Sequence, residues 1–164
     1  VLKLYAKHYE TREVIPDELI TKIQNQGTFN QGFMTTELLA AALLDMELHN
    51  LTDTENLNVV AFEKETMDKL GLIPEIAPRY RATYFSHIIG GYAAGYYSYL
   101  WAEVLDTDAF EAFKEHGVFD KNTADSFRKN ILEKGGTEDP MTLYRGFRGA
   151  DPSLEPLLKN RGLK

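Results

Sequence analysis

The sequence predicts an all-α fold, a multi-helix bundle of about seven or eight helices, several of them short. Three observations carry this. Helix-start signals recur along the chain, and glycines close the runs that follow them. The most apolar stretch is built from Ala and Leu without a Gly or Pro inside it. No strand signal repeats in the same way.

The elements follow in order. Pro16 with Asp17 and Glu18 marks a helix start, because proline tolerates the first turn and acids suit the positive end of the helix dipole. Phe33 to Leu48 is the next helix. Its centre, LLAAALL from Leu38 to Leu44, is apolar on every side, and this pattern predicts burial all round. Asn56 to Leu70 carries apolar residues at helical spacing and is closed by Gly71. Pro74 and Pro78 then make Leu72 to Pro78 a connector. Tyr80 to Leu105 is apolar and aromatic, with Gly90, Gly91 and Gly95 inside it. Asp108 to His116 reads as a separate short helix ending at Gly117, with the acids Asp106 and Asp108 at its start. Asn122 is expected to cap a helix running to about Lys134, before Gly135-Gly136. Asp139-Pro140 and Asp151-Pro152 read as two further capped starts. With no linker, repeat or low-complexity tract, residues 1–164 are expected to form one domain.

Composition excludes several classes. Lys plus Arg total 18 against 25 Asp plus Glu, a formal net charge of -7, and no basic run offsets it, so nucleic acid is not an expected partner. With no Cys there is no disulfide, thiolate zinc site or cysteine nucleophile. No apolar run approaches the roughly 20 residues of a spanning helix, so no membrane role is expected. The first residue is Val1, and the opening reads as the interior of a helical protein, so a fragment is expected.

Chemistry concentrates between Tyr80 and Trp101, which hold eight of the 19 aromatic residues. Gly90-Gly91 breaks or loosens the helix. If the chain beyond it is helical, Tyr92, Tyr96 and Tyr99 fall at i, i+4 and i+7 on one face, with His87 approaching from the loop side. Neutral O–H donors gathered in one cleft suit a reaction that builds negative charge on oxygen, such as attack on a peptide carbonyl. The glycines would let a ligand approach the backbone and let the loop move. On spacing alone, a tyrosine stripe is first of all a packing feature.

Other candidates are weaker. Asp45 and His49 stand at i, i+4, which permits a shared metal or a side-chain hydrogen bond, but no third ligand has a recognisable spacing. Asp106, Asp108, Glu111 and Glu115 could suggest a cation site, though helix-start chemistry accounts for the first two. His8 reads as solvent-facing, and His116 as a complement to a helix C-terminus. No His-Glu-x-x-His occurs, and Gly90-Gly91 lacks the Lys and Ser/Thr of a phosphate loop.

The stretch FSHIIGGYAAGYYSYLWAEVL, Phe85 to Leu105, resembles the C-terminal part of the zinc metallopeptidases that include thimet oligopeptidase, oligopeptidase A and bacterial peptidyl-dipeptidase Dcp. FNQGFMTTELLAAALLDMELH, Phe29 to His49, is similar to the segment upstream of it in those enzymes. The opening LYAKHYETREVIPDELI and the tail from Phe127 also fit, so the resemblance covers essentially the whole chain. The wording AAGYYSYLWAEVL looks more like the Dcp branch.

The resemblance implies a two-lobed, mostly helical enzyme with a deep channel, of which this chain is the C-terminal portion of the catalytic lobe. Zinc, held by His-Glu-x-x-His and a later Glu, would be the cofactor of the intact enzyme. Those ligands lie outside this chain, and none is expected within it. The implied catalytic residues are His87 and Tyr99. Tyr92, Tyr96, Gly90 and Gly91 would bind substrate, and Tyr97 and Trp101 are left to the core. The implied partners are a peptide substrate and the upstream part of the same lobe. A peptidyl-dipeptidase must also recognise a free carboxylate. Arg79 and Arg81 are candidates for that by charge and position, or else are surface arginines paired with acids. The implied activity is removal of dipeptides from the C-termini of short oligopeptides, in cytoplasm or periplasm. The alternatives are a non-catalytic helical peptide- or ligand-binding module and a metal-carrying bundle based on Asp45 and His49.

Overall fold

A computed structural model describes residues 1–164 and contains eight α-helices and no strand beyond an isolated bridge between Lys7 and Val14. The helices are α1 (Leu2–Tyr5), α2 (Asp17–Gly27), α3 (Gln31–His49), α4 (Val59–Lys69), α5 (Ser98–His116), α6 (Lys121–Phe127), α7 (Pro140–Arg148) and α8 (Glu155–Asn160). Short 3-10 turns occupy Ala82–Tyr84 and Ser86–Ile89, and a π-helical turn, Arg128–Leu132, extends α6. No helix is long and apolar enough to cross a membrane.

Local chemistry explains most boundaries. Asn58 caps α4 by accepting from the Ala61 amide at 3.0 Å, and Gly71 turns the chain away with φ of 68°. Asp139 caps α7 by accepting from the Thr142 amide at 2.9 Å, with Pro140 in the first turn and Gly149 in the left-handed region after its end. Other boundaries differ from the sequence expectation. The cap of α6 is Asp120, not Asn122: its carboxylate accepts from the Thr123 amide at 2.7 Å. Asp151 caps nothing; it pairs with Arg145 at 2.5 Å, and α8 begins four residues later with Pro156 in its first turn.

The largest correction concerns α5. Asp108 to His116 is not a separate helix but the second half of an unbroken 19-residue helix. Neither Gly nor Pro interrupts Ser98–His116. The Thr107 hydroxyl bonds back to the Glu103 carbonyl at 2.6 Å instead of ending the helix. Asp108 is buried, and its carboxylate accepts from the Tyr144 hydroxyl of α7 instead of capping.

α3 corrects a second expectation. Ala40, Ala41, Ala42 and Leu44 are buried, but Leu39, Leu43 and Met46 form an exposed stripe at i, i+4, i+7. α4 and the aromatic segment pack against this helix and leave these three side chains exposed.

α5 is the member on which the second half of the chain packs. α8 lies along it, and α6 and α7 close against it through Phe113, Phe127 and Phe147, whose ring centroids lie 5.1–6.3 Å apart. Arg161, after α8, grips Glu103 of α5 with two nitrogens and donates to the Thr35 hydroxyl of α3 at 2.6 Å, so one guanidinium joins three helices. The other core cluster joins Ala41 and Ala42 of α3 to Phe85, Ile88 and Tyr96 of the aromatic segment.

Tyr144→Phe should lower stability by about 1.5–3 kcal/mol at neutral pH, because it removes a hydrogen bond to a buried carboxylate and introduces no cavity. A denaturant midpoint that falls with unchanged slope checks this; an unchanged midpoint would show that Arg148, 3.5 Å from the same carboxylate, suffices.

Candidate functional site

The segment between α4 and α5 is held before it becomes functional. Glu63 of α4 is buried; one carboxylate oxygen bonds Arg81 and the other accepts from the Ala82 amide at 2.7 Å. This fixes the entry to the first 3-10 turn. Phe85, fully buried, and Ile88 then insert into the α3 core. His87 lies between these two anchors, half-buried, and the chain continues through Gly90-Gly91 and a series of turns to α5.

Only Tyr99 of the three spaced tyrosines is in a helix; Tyr92 and Tyr96 precede α5 in the turns. The rings converge nonetheless. The His87 ring centroid lies 5.3 Å from that of Tyr96, 5.9 Å from Tyr92 and 6.2 Å from Tyr99. Tyr92 and Tyr99 stack at 5.1 Å with an interplanar angle of 20°, and Tyr96 meets Tyr99 at 5.2 Å. The convergence comes from the turns, not from one helical face.

The four residues differ in access. Tyr92 and Tyr99 are exposed, each at 42%. Tyr96 is only 3% exposed and belongs to the core with Phe85. Expected to bind substrate, it lies in the core, with its ring packed on those of His87 and Tyr99. His87 Nδ1 is buried without a hydrogen-bond partner, and an unpaired buried polar atom is costly to a fold. Tyr80, not singled out in the sequence, completes the cluster, with its centroid 4.8 Å from His87 and 5.2 Å from Phe85. The signal for it was its place at the head of the aromatic run.

Tyr97 and Trp101, left to the core in the sequence reading, are 53% and 45% exposed. The N-terminal end of α5 faces the core through Tyr96, Leu100 and Val104, so their neighbours at 97 and 101 point away. Gly90 and Gly91 have no left-handed φ, and a Cβ on either would meet open space. They lie in the turns after His87, where the Tyr92 amide donates to His87 and the Ala93 amide to Gly90, and they leave an open side there. Arg81 is committed to Glu63, whereas Arg79 is exposed and forms no ion pair.

Asp45 and His49 do come together, but not as an open ligand pair. Asp45 is fully buried; its Oδ1 accepts from the Ala94 amide at 3.0 Å and its Oδ2 from the Tyr96 amide at 2.9 Å. His49 Nδ1 stands 2.9 Å from Oδ1 and 2.8 Å from the Asp45 carbonyl oxygen. Of the other candidates, Glu111 pairs with Lys114 and Glu115 with Arg148, while Asp106 is pushed up by burial and then by Glu103. His8 is exposed and accepts from two loop amides, and His116 Nδ1 lies 2.9 Å from the Ala112 carbonyl at the end of α5. Nowhere do three or more His, Asp or Glu side chains stand together in a way that could hold a metal.

Electrostatically the site favours the neutral forms of Tyr96 and Tyr99. The Tyr99 hydroxyl is pushed up to about 12, first by the neighbouring Tyr92 hydroxyl, then by desolvation and the surrounding phenols. Burial, followed by Tyr80, raises Tyr96, against a smaller lowering by Arg79. Protonated phenols are what hydrogen-bond donation to a developing oxyanion requires.

A helical layer that presents one imidazole and two exposed phenols beside a glycine pair has direct relatives. The chain belongs to peptidase family M3, whose family model matches residues 1–163. It is 44% identical to dipeptidyl carboxypeptidase of Escherichia coli, over 99% of this chain and 24% of that protein. It is 38% identical to oligopeptidase A of the same organism, again over 99% and 24%, and 31% identical to saccharolysin of Saccharomyces cerevisiae, over 97% and 23%. The relatives are peptidases, and the chain spans about a quarter of their length. The higher identity to the dipeptidyl carboxypeptidase agrees with the branch expected from AAGYYSYLWAEVL.

The raised Tyr99 value has a pH consequence. Its folded-state value lies above the ordinary 10.0, so the fold favours the neutral phenol. That contribution is complete below pH 10 and is lost as pH rises from 10 through about 12. In a phenolate absorbance titration, Tyr99→Phe should remove one late-titrating group from near pH 12 and leave the rest of the curve in place. Loss of an ordinary phenol instead would show that Tyr99 does not feel its neighbours.

Proposed function

We propose that this chain supplies the substrate-facing, oxyanion-stabilising side of a peptide-hydrolysing site in a zinc peptidase that removes dipeptides from the C-termini of short oligopeptides. The observation that carries the reading is the convergence of His87 with the exposed Tyr92 and Tyr99 hydroxyls in one cluster. The names and shared family of the peptidase relatives support it.

The residues of this chain do not fit a zinc site. No group of potential ligands is gathered, and Asp45 and His49 are already bonded to the loop and to each other. Zinc is therefore proposed as the cofactor of the intact enzyme, held by residues outside this chain, where it would activate the attacking water. The upstream part of the lobe is the proposed partner.

The chain's own residues act on the peptide. As water adds to the scissile carbonyl, charge grows on the carbonyl oxygen. The Tyr99 hydroxyl, protonated at all working pH values, donates a hydrogen bond to it. Tyr92, stacked on Tyr99, restricts that ring and offers a second hydroxyl. The half-buried His87 ring, packed among Tyr92, Tyr96 and Tyr99, is the proposed contact to the peptide backbone. The open side at Gly90-Gly91 admits that backbone. Arg79, the unpaired arginine beside the cluster, is the proposed receiver of the substrate's carboxylate.

In an intact peptidase carrying this segment, Tyr99→Phe should lower kcat by about 10²–10³, or about 2.7–4 kcal/mol, with KM within a few-fold and zinc content unchanged. Tyr97→Phe is the control, since that ring lies outside the cluster, and it should leave kcat intact. A raised KM with normal kcat for Tyr99→Phe would mean that Tyr99 only binds substrate.

The isolated chain should retain no stoichiometric zinc after dialysis and should not cleave peptides. Elemental analysis and a peptide cleavage assay check both. One firmly held zinc per chain, or cleavage that persists in chelator, would refute this division of the active site.

A further inference from the structure

The cluster has a support that the reaction itself does not call for. The backbone from Gly90 to Tyr97 is a chain of turns, and its Ala94 is a non-glycine residue in the left-handed region at φ 51°. That conformation is unfavourable for a residue with a Cβ and persists only where surrounding contacts impose it. Several amides of the loop find backbone acceptors: Tyr92 and Ala93 donate to His87 and Gly90, and Gly95 donates to Tyr92. The amides of Ala94 and Tyr96 do not. Both donate to the carboxylate of Asp45, 49 and 51 residues earlier in the chain.

Asp45 is unusual on its own helix. It ends the apolar run of α3, has no exposed surface, and forms no ion pair with Lys or Arg. An ionised carboxylate loses several kcal/mol of hydration on burial. Here the compensation comes from two amides of the loop, on alternate residues, and from the His49 imidazole. The two oxygens hold the peptide planes that precede Ala94 and Tyr96, and the Gly95 amide between them donates to the Tyr92 carbonyl, so the left-handed Ala94 lies inside a restrained stretch. Tyr96 is pinned at its own amide, Tyr92 lies two residues before Ala94, and Tyr99 lies one helical turn beyond Tyr96.

We propose that Asp45 is a positioning residue for peptide hydrolysis: by clamping the Ala94 and Tyr96 amides it sets the relative placement of the Tyr92 and Tyr99 hydroxyls. The inference rests on the functional reading of those tyrosines. Oriented donors lose much of their effect when displaced, and a misplacement of about 1 Å can cost 10²-fold in rate. His49 has the supporting role of holding Oδ1.

The test uses the intact zinc peptidase carrying this segment, with Asp45→Asn. The asparagine keeps the shape and one acceptor but cannot accept from both amides. Hydrogen exchange at Ala94 and Tyr96 should accelerate by roughly 10- to 100-fold, the size of one hydrogen bond to a charged group. kcat should fall by about 10–10²-fold, with KM and zinc content within a few-fold. Asp108→Asn, in the buried pair at the far end of α5, controls for lost stability and should change neither the exchange of those two amides nor kcat. An amide-to-ester replacement at Ala94 removes one donor without touching the core, so the proposal remains testable if Asp45→Asn does not fold; it should also lower kcat with KM preserved. Unchanged exchange in Asp45→Asn, faster exchange with full kcat, or a parallel loss of kcat in Asp108→Asn would each overturn the proposal. Full activity of Tyr99→Phe in the same series is a separate result, refuting the functional reading itself.

Discussion

A carboxylate withdrawn from water requires hydrogen-bond donors, and around Asp45 those donors come from the segment that carries the aromatic cluster. This contact ties α3 to the loop at two amides, Ala94 and Tyr96, that have no backbone acceptor. Glu63 does the same at the other end by taking Arg81 and the Ala82 amide. Between these two buried acids, Phe85 and Ile88 supply the apolar anchoring. The site is thus an irregular segment held at both ends by carboxylates on the two helices it packs against, which is how loop residues acquire the fixed geometry that donor chemistry needs.

α5 extends this local order through the rest of the chain. Its first turn carries Tyr99, its middle carries Glu103 and Asp108, and its end carries Glu115. Arg161 binds Glu103, Tyr144 and Arg148 meet Asp108, and Arg148 forks onto Glu115. Each of these polar contacts joins α5 to a helix from the last quarter of the chain.

Much of this was legible from residue order. The cap at Asp139, the glycine stops at Gly71 and Gly117 and the connector from Leu72 to Pro78 depend on interactions within a few residues, and local chemistry decides them. Asp108 misled because an acid before a short helical run resembles a cap. Its actual partner, Tyr144, is 36 residues away. The apolar stretch of α3 misled in the opposite sense. Periodicity counts apolar positions but does not say whether another element exists to cover Leu39, Leu43 and Met46.

The sequence by itself determined the helical class, the aromatic concentration and, through Phe85 to Leu105 and Phe29 to His49, the family. It also named His87, Tyr92, Tyr96 and Tyr99 as belonging together. Only the tertiary structure decided how they meet. The periodic face proposed for the three tyrosines does not exist, since two of them precede the helix. Burial then divides the set, with Tyr96 in the core and Tyr92 and Tyr99 open to solvent. It also decided between the two options open for Asp45 and His49, a shared metal or a side-chain hydrogen bond: they meet each other, and Asp45 accepts from amides of residues about 50 positions away. Spacing along a helix reports neighbours within a turn or two; the partners of a buried charge are set by which segments the core brings together.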